Sequence, residues 1–262
     1  MGRSHSASVR RRDVVAALGA AATATAGRVA GYVGPASDDG EVETLTLAER
    51  GVPPTICEEE LSPGGIRAVD DPAFGPGDAW PADPDGYRPL EATSTVIGLE
   101  GDDVARAYPL SLSNVHEIAN DDLGGPVLVT HCPICRSGMV AERVVDGAPA
   151  RFDASGLLWS PPRIRTAAAA EDGRVFSDSE AGVANNGNLV MYDDRTGSYW
   201  SQMLARGLCG PKTEDRLPIR PSAVTTCADR RDRHPDAEVP LPPPASGVVD
   251  PSIRGPPSSP FG

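Results

Sequence analysis

Apolar and polar positions fall in short runs along the middle of the chain, each closed by turn-forming residues. Thr95-Val-Ile-Gly-Leu99 and Val104-Ala-Arg-Ala-Tyr108 flank Glu-Gly-Asp-Asp, a pattern that predicts a β-hairpin. Pro126–Thr130 and Met139–Val145 are the next strands, and Asp146-Gly147 turns the chain into a further strand over Ala150–Ala154. Asn188–Tyr192 and Ser198–Gln202 flank Asp-Asp-Arg-Thr-Gly as a third hairpin. Trp159, Tyr192, Tyr199 and Trp200 alternate with polar residues in these runs, which points to core packing. Strands this short and this closely spaced imply a mainly β single domain, or an α+β one, with a barrel-like or sandwich-like antiparallel sheet and few short helices. Val115–Ala119 and Ala223–His234 are the candidate helices.

The flanking segments read differently. Residues 1–26 carry Arg10-Arg11-Arg12, a short apolar stretch rich in Ala and Thr, and small residues at Ala24-Thr25-Ala26. That is the pattern of a twin-arginine-type signal peptide, too short and too weakly apolar for a transmembrane helix. Residues 27–60 form a polar linker, and 61–240 hold the domain, with an irregular Pro/Gly/Asp-rich start anchored by Trp80. Residues 160–186 interrupt the strand pattern as an insertion that could serve as a lid, and the Pro-rich tail covers 241–262.

Charge narrows the setting. The net charge is −13, and Lys212 is the only lysine among 24 basic residues. An acidic surface of this kind suits concentrated salt, where screening weakens self-repulsion, and it argues against nucleic-acid binding. The reading is therefore an exported, extracellular or cell-surface, halophilic protein.

Candidate chemistry centres on His131-Cys132-Pro-Ile-Cys135-Arg136-Ser137, directly after the Pro126–Thr130 strand. Two thiols three residues apart on a turn can share a metal ion or cycle between dithiol and disulfide. The first reading is a Zn or Cu site built from Cys132, Cys135, His116 and His131, with His116 the better third ligand because His131 points away from Cys132 on a continuing strand. The second is a thiol–disulfide redox module. The third is a hydrolytic cleft with His116 as base, Glu117 or Asp121 orienting it, and Cys132 or Ser137 as nucleophile. The fourth is an interaction domain without chemistry. His116-Glu-Ile-Ala-Asn120 lacks the second His of a zinc-protease helix, and no phosphate loop or dinucleotide fingerprint is present. Arg106 could pair with Glu117 or an anionic ligand, while Asp193-Asp194 are expected to be solvated turn residues and His234 to sit in a surface loop. With five cysteines, one is left unpaired or metal-bound; Cys209–Cys227 is a candidate bridge that sequence separation does not establish.

The ordered series Ala105-Arg-Ala-Tyr-Pro-Leu110, His116-Glu-Ile-Ala-Asn-Asp121, Thr130-His-Cys-Pro-Ile-Cys135, Ser155-Gly-Leu-Leu158, Gly187-Asn-Leu-Val-Met-Tyr-Asp193 and Tyr199-Trp-Ser-Gln202 resembles the domain of unknown function 3179 family over roughly residues 63–240. The resemblance implies an exported or membrane-associated domain of bacteria and archaea whose activity is unestablished. Two departures from the family pattern stand out. The 160–186 insertion is of the kind expected of halophilic-archaeal members. Thr225-Thr226-Cys227 stands where the family tends to have Thr-Thr-Trp, which adds a thiol and draws attention to a Cys209–Cys227 bridge.

Overall fold

Val127-Leu128-Val129 is an unbroken apolar run, and a strand of that composition fits where both faces are covered. In the computed structural model, which describes residues 45–59, 66–82, 86–159 and 187–250, this run lies in the middle of a sheet with a core on each side. The expected signal peptide, the first part of the linker, the 160–186 insertion and the end of the tail lie outside the described residues.

In chain order the strands are β1 (Val69–Asp70), β2 (Phe74–Gly75), β3 (Thr95–Glu100), β4 (Ala105–Pro109), β5 (Ile118–Asp122), β6 (Pro126–Cys132), β7 (Ser137–Glu142) and β8 (Val144–Val145). They continue as β9 (Ala148–Pro149), β10 (Phe152–Trp159), β11 (Asn188–Asp193), β12 (Tyr199–Ser201), β13 (Arg206–Cys209), β14 (Ala223–Thr226), β15 (Val239–Pro240) and β16 (Gly247–Val248). A five-stranded sheet runs β16-β1-β5-β6-β7, a four-stranded sheet β10-β11-β12-β13, and a three-stranded sheet β14-β3-β4. Small pairs β15-β2 and β8-β9 complete the set. The domain is mainly β and sandwich-like, and none of these sheets closes into a barrel among the described residues.

Side-chain alternation on β6 explains the layering. Leu128 and Cys132 face one core with Phe152, Leu189, Met191 and Trp200 of the four-stranded sheet. Val127 and Val129 face the other, with Ile97, Leu99 and Tyr108 of the three-stranded sheet and Leu112 of the helix Leu110–His116. A third core on the far side of the four-stranded sheet joins Trp159, Val190, Tyr192 and Tyr199 to Leu47, Val52 and Ile56. Residues 45–59, the end of the segment read as a linker, are thus packed through Leu47, Val52 and Ile56, which are spaced apart in a polar composition, while Leu45 stays exposed. A disulfide from Cys57 to Cys209 ties them to β13. The candidate Cys209–Cys227 bridge does not form: Cys227 is a free thiol that opens the helix Cys227–Arg233.

The first and third expected hairpins are present, with Ile97 opposite Tyr108 and Met191 opposite Trp200; at the Asp146-Gly147 turn the hairpin is shorter than expected, Val144-Val145 pairing with Ala148-Pro149, while the strand that begins at Phe152 pairs with β11. Trp159, Tyr192, Tyr199 and Trp200 are all buried, and so is Trp80. Helix placement differs from expectation. The first helix is Leu110–His116, ended at Glu117 by a left-handed residue (φ 59°), and Ile118-Ala119 already belong to β5. The β-branched Val224-Thr225-Thr226 continue as β14, paired to β3, before the helix begins at Cys227. Two further expectations change. Arg106 pairs with Asp121, which also accepts from the Tyr108 hydroxyl, so it meets neither Glu117 nor an open site. Asp193 is fully buried and accepts from Thr196, the Arg195 amide and the Trp200 indole, so it organises its turn from inside.

Between the sheets, Asn120 of β5 reaches across to β10. Its amide oxygen accepts from the Phe152 N–H (2.8 Å) and its amide nitrogen donates to the Phe152 carbonyl (2.9 Å). This fixes the position of the four-stranded sheet against β5, the neighbour of the strand that leads to the cysteine turn.

Candidate functional site

The Cys-x-x-Cys turn joins β6 to β7, with Cys132 opposite Ser137 and His131 opposite Gly138. Arg136 sits in the left-handed region (φ 51°) to close it. Cys132 points into the core between the sheets and is fully buried; Cys135 is half-buried and Ile134 at the tip is exposed.

Cys135 sits among donors. Ser137 Oγ lies 2.9 Å from its Sγ, and Asn188 Nδ2 donates to the same sulfur at 3.0 Å. The Asn188 amide is oriented from behind, because the Met203 N–H donates to its Oδ1 (2.8 Å) and so turns the NH₂ toward the sulfur. Gln202 closes the frame. Its Oε1 accepts from Asn188 (2.6 Å) and Ser137 (2.9 Å), and its Nε2 donates to Thr130 Oγ1 (2.9 Å). One rotation of the Ser137 hydroxyl, from Gln202 Oε1 to the sulfur, suits the frame to either a thiol or a thiolate.

These contacts set the electrostatics. The Cys132 thiol donating to Cys135, then Ser137 and Asn188, hold the Cys135 thiol down at about 5 against the opposing effect of burial. Cys132 moves the other way: its hydrogen bond to Cys135 and its burial keep it protonated. The same contacts thus push the two thiols apart, the half-buried Cys135 toward the thiolate and the buried Cys132 toward the thiol.

The histidines take other roles. The Nδ1 of His116 donates to the Arg67 carbonyl (2.6 Å), which leaves Nε2 to accept from the Tyr87 hydroxyl (2.7 Å), and the two rings stack. Both nitrogens are occupied, and burial lowers the pKa and favours the neutral ring. His131 faces the opposite core from Cys132, with a buried Nδ1 that has no hydrogen-bond partner among the described residues. Among the described residues no three His, Cys, Asp or Glu side chains converge in a way that could hold a metal ion. Cys132, Cys135, His116 and His131 therefore do not assemble into the expected ligand set; the two sulfurs meet, and the two rings are elsewhere. The expected His116 base is likewise committed to Arg67 and Tyr87.

Glu117 adjoins the site. It is 7% exposed, its carbonyl accepts from the His131 N–H (2.8 Å), and burial followed by the nearby Cys135 charge raises its carboxyl to about 7.

The family described as Protein of unknown function (DUF3179) matches residues 63–164 and 171–245. The chain belongs to the DUF3179 family. The match breaks inside the 160–186 insertion and otherwise takes in every strand from β1 to β15, ending before the edge strand β16. No curated protein and no solved structure matches the chain. In this DUF3179 domain, Asn188 and Gln202 lie within motifs that carried the resemblance, yet sequence reasoning gave them no role. The available signal was a polar side chain at the margin of an apolar strand, Asn188 before Leu-Val-Met and Gln202 after Tyr-Trp-Ser. Among the described residues no helix is long and apolar enough to cross a membrane.

Proposed function

We propose that Cys132 and Cys135 form a thiol–disulfide exchange pair, with Cys135 the attacking thiolate and Cys132 the resolving thiol. The observation that carries this reading is the set of donors on Cys135 Sγ, from Ser137 at 2.9 Å and Asn188 at 3.0 Å, above a buried protonated partner. The Cys135 thiolate attacks one sulfur of a substrate disulfide, forms a mixed disulfide and expels a thiolate. Cys132 then loses its proton to solvent and attacks Cys135 Sγ, which releases the second substrate thiolate and leaves a Cys132–Cys135 disulfide. Two electrons pass from the pair to the substrate; with a dithiol partner the same steps run backward.

The hairpin setting differs from a helix-borne redox motif, where the helix dipole depresses the thiol pKa. Here side-chain donors replace that dipole. The Cys57–Cys209 disulfide suits export to an oxidising compartment, in keeping with the twin-arginine pattern, and the acidic, lysine-poor composition suits a high-salt medium.

The test is redox titration of the protein in dithiothreitol buffers, with thiols trapped by N-ethylmaleimide and located by mass spectrometry. We expect Cys132 and Cys135 to gain and lose label together and reversibly, while Cys227 is labelled throughout and Cys57–Cys209 stays closed. About one equivalent of zinc or copper, lost in a Cys132→Ser/Cys135→Ser variant, would overturn the exchange reading in favour of a metal site. Independent labelling of the two cysteines would also sink it.

A further inference from the structure

β7 is an edge strand of the five-stranded sheet, and its backbone groups alternate in direction. The Arg143 N–H, just past its end, donates to the Pro126 carbonyl of β6 (3.2 Å), so residues 139 and 141 likewise turn their N–H and C=O toward β6. Residues 138, 140 and 142 turn theirs outward. The chain itself occupies two of these three. The Glu142 N–H donates to the Pro218 carbonyl (2.8 Å), and the Val140 carbonyl accepts from the Arg220 N–H (2.9 Å), with Ile219 antiparallel to Ala141. The chain then leaves this edge to become β14 on β3, with Ala223 opposite Gly98. Gly138 is left exposed, its N–H and C=O pointing outward without a partner among the described residues. It directly follows Ser137, whose Oγ lies 2.9 Å from the Cys135 sulfur.

We propose, building on the reading of Cys132 and Cys135 as an exchange pair, that its substrate is a cysteine disulfide in an extended polypeptide, which pairs with β7 at Gly138 as an added antiparallel strand. The direction continues that of the Ile219 pairing on the same edge. The residue before the substrate cysteine then exchanges two hydrogen bonds with Gly138. Its N–H donates to the Gly138 carbonyl, and its carbonyl accepts from the Gly138 N–H. The cysteine itself falls opposite Ser137. Side chains directly opposite on neighbouring strands share a face and stand about 4.5–5.5 Å apart at Cβ. The substrate sulfur therefore arrives on the face where Ser137 meets Cys135. A register one residue away turns it to the other face, so the edge selects the position of the cysteine as well as the class of molecule. Ile134, the chain neighbour of Cys135, and Met203, whose N–H orients Asn188, are both exposed and offer apolar contact to a segment not buried in a fold of its own.

The experiment uses the reduced wild-type protein and a short peptide whose central cysteine is a mixed disulfide with nitrothiobenzoate. Cys135 attacks the peptide sulfur and expels the coloured thiolate, and Cys132 then displaces the peptide thiolate from Cys135. Two isomers carry one backbone N-methyl group. In the first it sits on the residue before the cysteine and removes the donor to Gly138; in the second it sits on the cysteine, whose N–H faces away from β7. Rates at low peptide concentration are divided by those with mercaptoethanol, which removes differences in intrinsic reactivity. We expect the first isomer to release the coloured thiolate roughly 10-fold more slowly than the unmodified peptide, the upper end for one net backbone hydrogen bond, and the second to match the unmodified peptide. Equal rates for the two isomers overturn the added strand. Mass spectrometry of the same reactions reads the exchange pair separately. Free peptide together with a closed Cys132–Cys135 disulfide sustains that reading whatever the isomers do. Peptide retained on the protein, or joined to Cys227, sinks it.

Discussion

Replacing Asn188 with alanine removes one of three donors from the Cys135 sulfur and leaves Cys132 and Ser137 in place. A hydrogen bond to a charged acceptor contributes about 1.5–3 kcal/mol, and 1.36 kcal/mol corresponds to one pKa unit. Cys135 is half-exposed, so water recovers part of the loss and the low end applies. The thiol midpoint should therefore climb from about 5 to roughly 6. At pH 6 the thiolate share falls from about nine tenths to about one half, and in proportion the rate of alkylation at Cys135. Ser137→Ala should move it in the same direction, and the double variant further than either. The assay is the pH dependence of iodoacetamide labelling at Cys135, read by mass spectrometry to exclude Cys227. A wild-type midpoint near the ordinary thiol value of 9.0, or an Asn188→Ala midpoint indistinguishable from wild type, would refute the reasoning.

Glu117→Gln has a stability signature. A folded carboxyl raised to about 7 binds more protons than the unfolded one, so its stability contribution is complete below the unfolded value of 4.5 and is lost as the pH rises through about 7. Above pH 7 the Gln variant should be more stable than wild type by ~1–2 kcal/mol after solvent screening and melt at a higher temperature, and the advantage should vanish in acid; calorimetry across that range checks it. Cys135 has the opposite sign: its depressed pKa contributes stability that is fully present above 9.0 and lost as the pH falls through about 5, so Cys135→Ser should flatten that dependence in the reduced protein. Removing the Cys57–Cys209 bridge, which closes a separation of 152 residues, should cost about 2–5 kcal/mol and lower the melting temperature. Asn120→Ala deletes both bonds that clamp Phe152 and should cost ~2–3 kcal/mol in denaturant unfolding, with activity falling only where the variant is partly unfolded.

Much of the fold was legible because its signals are local. Alternation and Asp-Gly or Asp-Asp turns placed three hairpin turns and the strand pairing of two of them, whose register depends on near neighbours in the chain. The helices were less legible: Leu110-Ser-Leu-Ser has no polar cap or long apolar stripe, and its end depends on Glu117 adopting a left-handed conformation that its residue type does not advertise. Long-range partners were hidden for the same reason. Nothing in the spacing of Cys57, Cys209 and Cys227 says which two meet, because the choice follows from Leu47, Val52 and Ile56 packing on the four-stranded sheet. His116 stood out as a histidine near a thiol motif, but a histidine's role depends on what occupies each ring nitrogen, here Arg67 and Tyr87 from a segment that reads as irregular.

The thiol motif was legible as a motif and illegible as a device. A hairpin turn offers none of the dipole that a helix start lends to a cysteine, so sequence spacing alone made the redox reading look poor. What changes the balance is a contact across 53 residues, Asn188 to Cys135, held by a Met203 amide and a Gln202 carbonyl drawn from the next hairpin. The donors that depress the Cys135 thiol thus come from two sheets, and the Asn120 clamp is one of the contacts that fix those sheets against each other. Reactivity of Cys135 should then depend on the integrity of the sandwich more than on the turn. A short peptide carrying residues 126–142 should show an ordinary thiol midpoint, near 9.0, where the folded domain shows about 5. A depressed midpoint in the peptide would move the cause back into the turn itself.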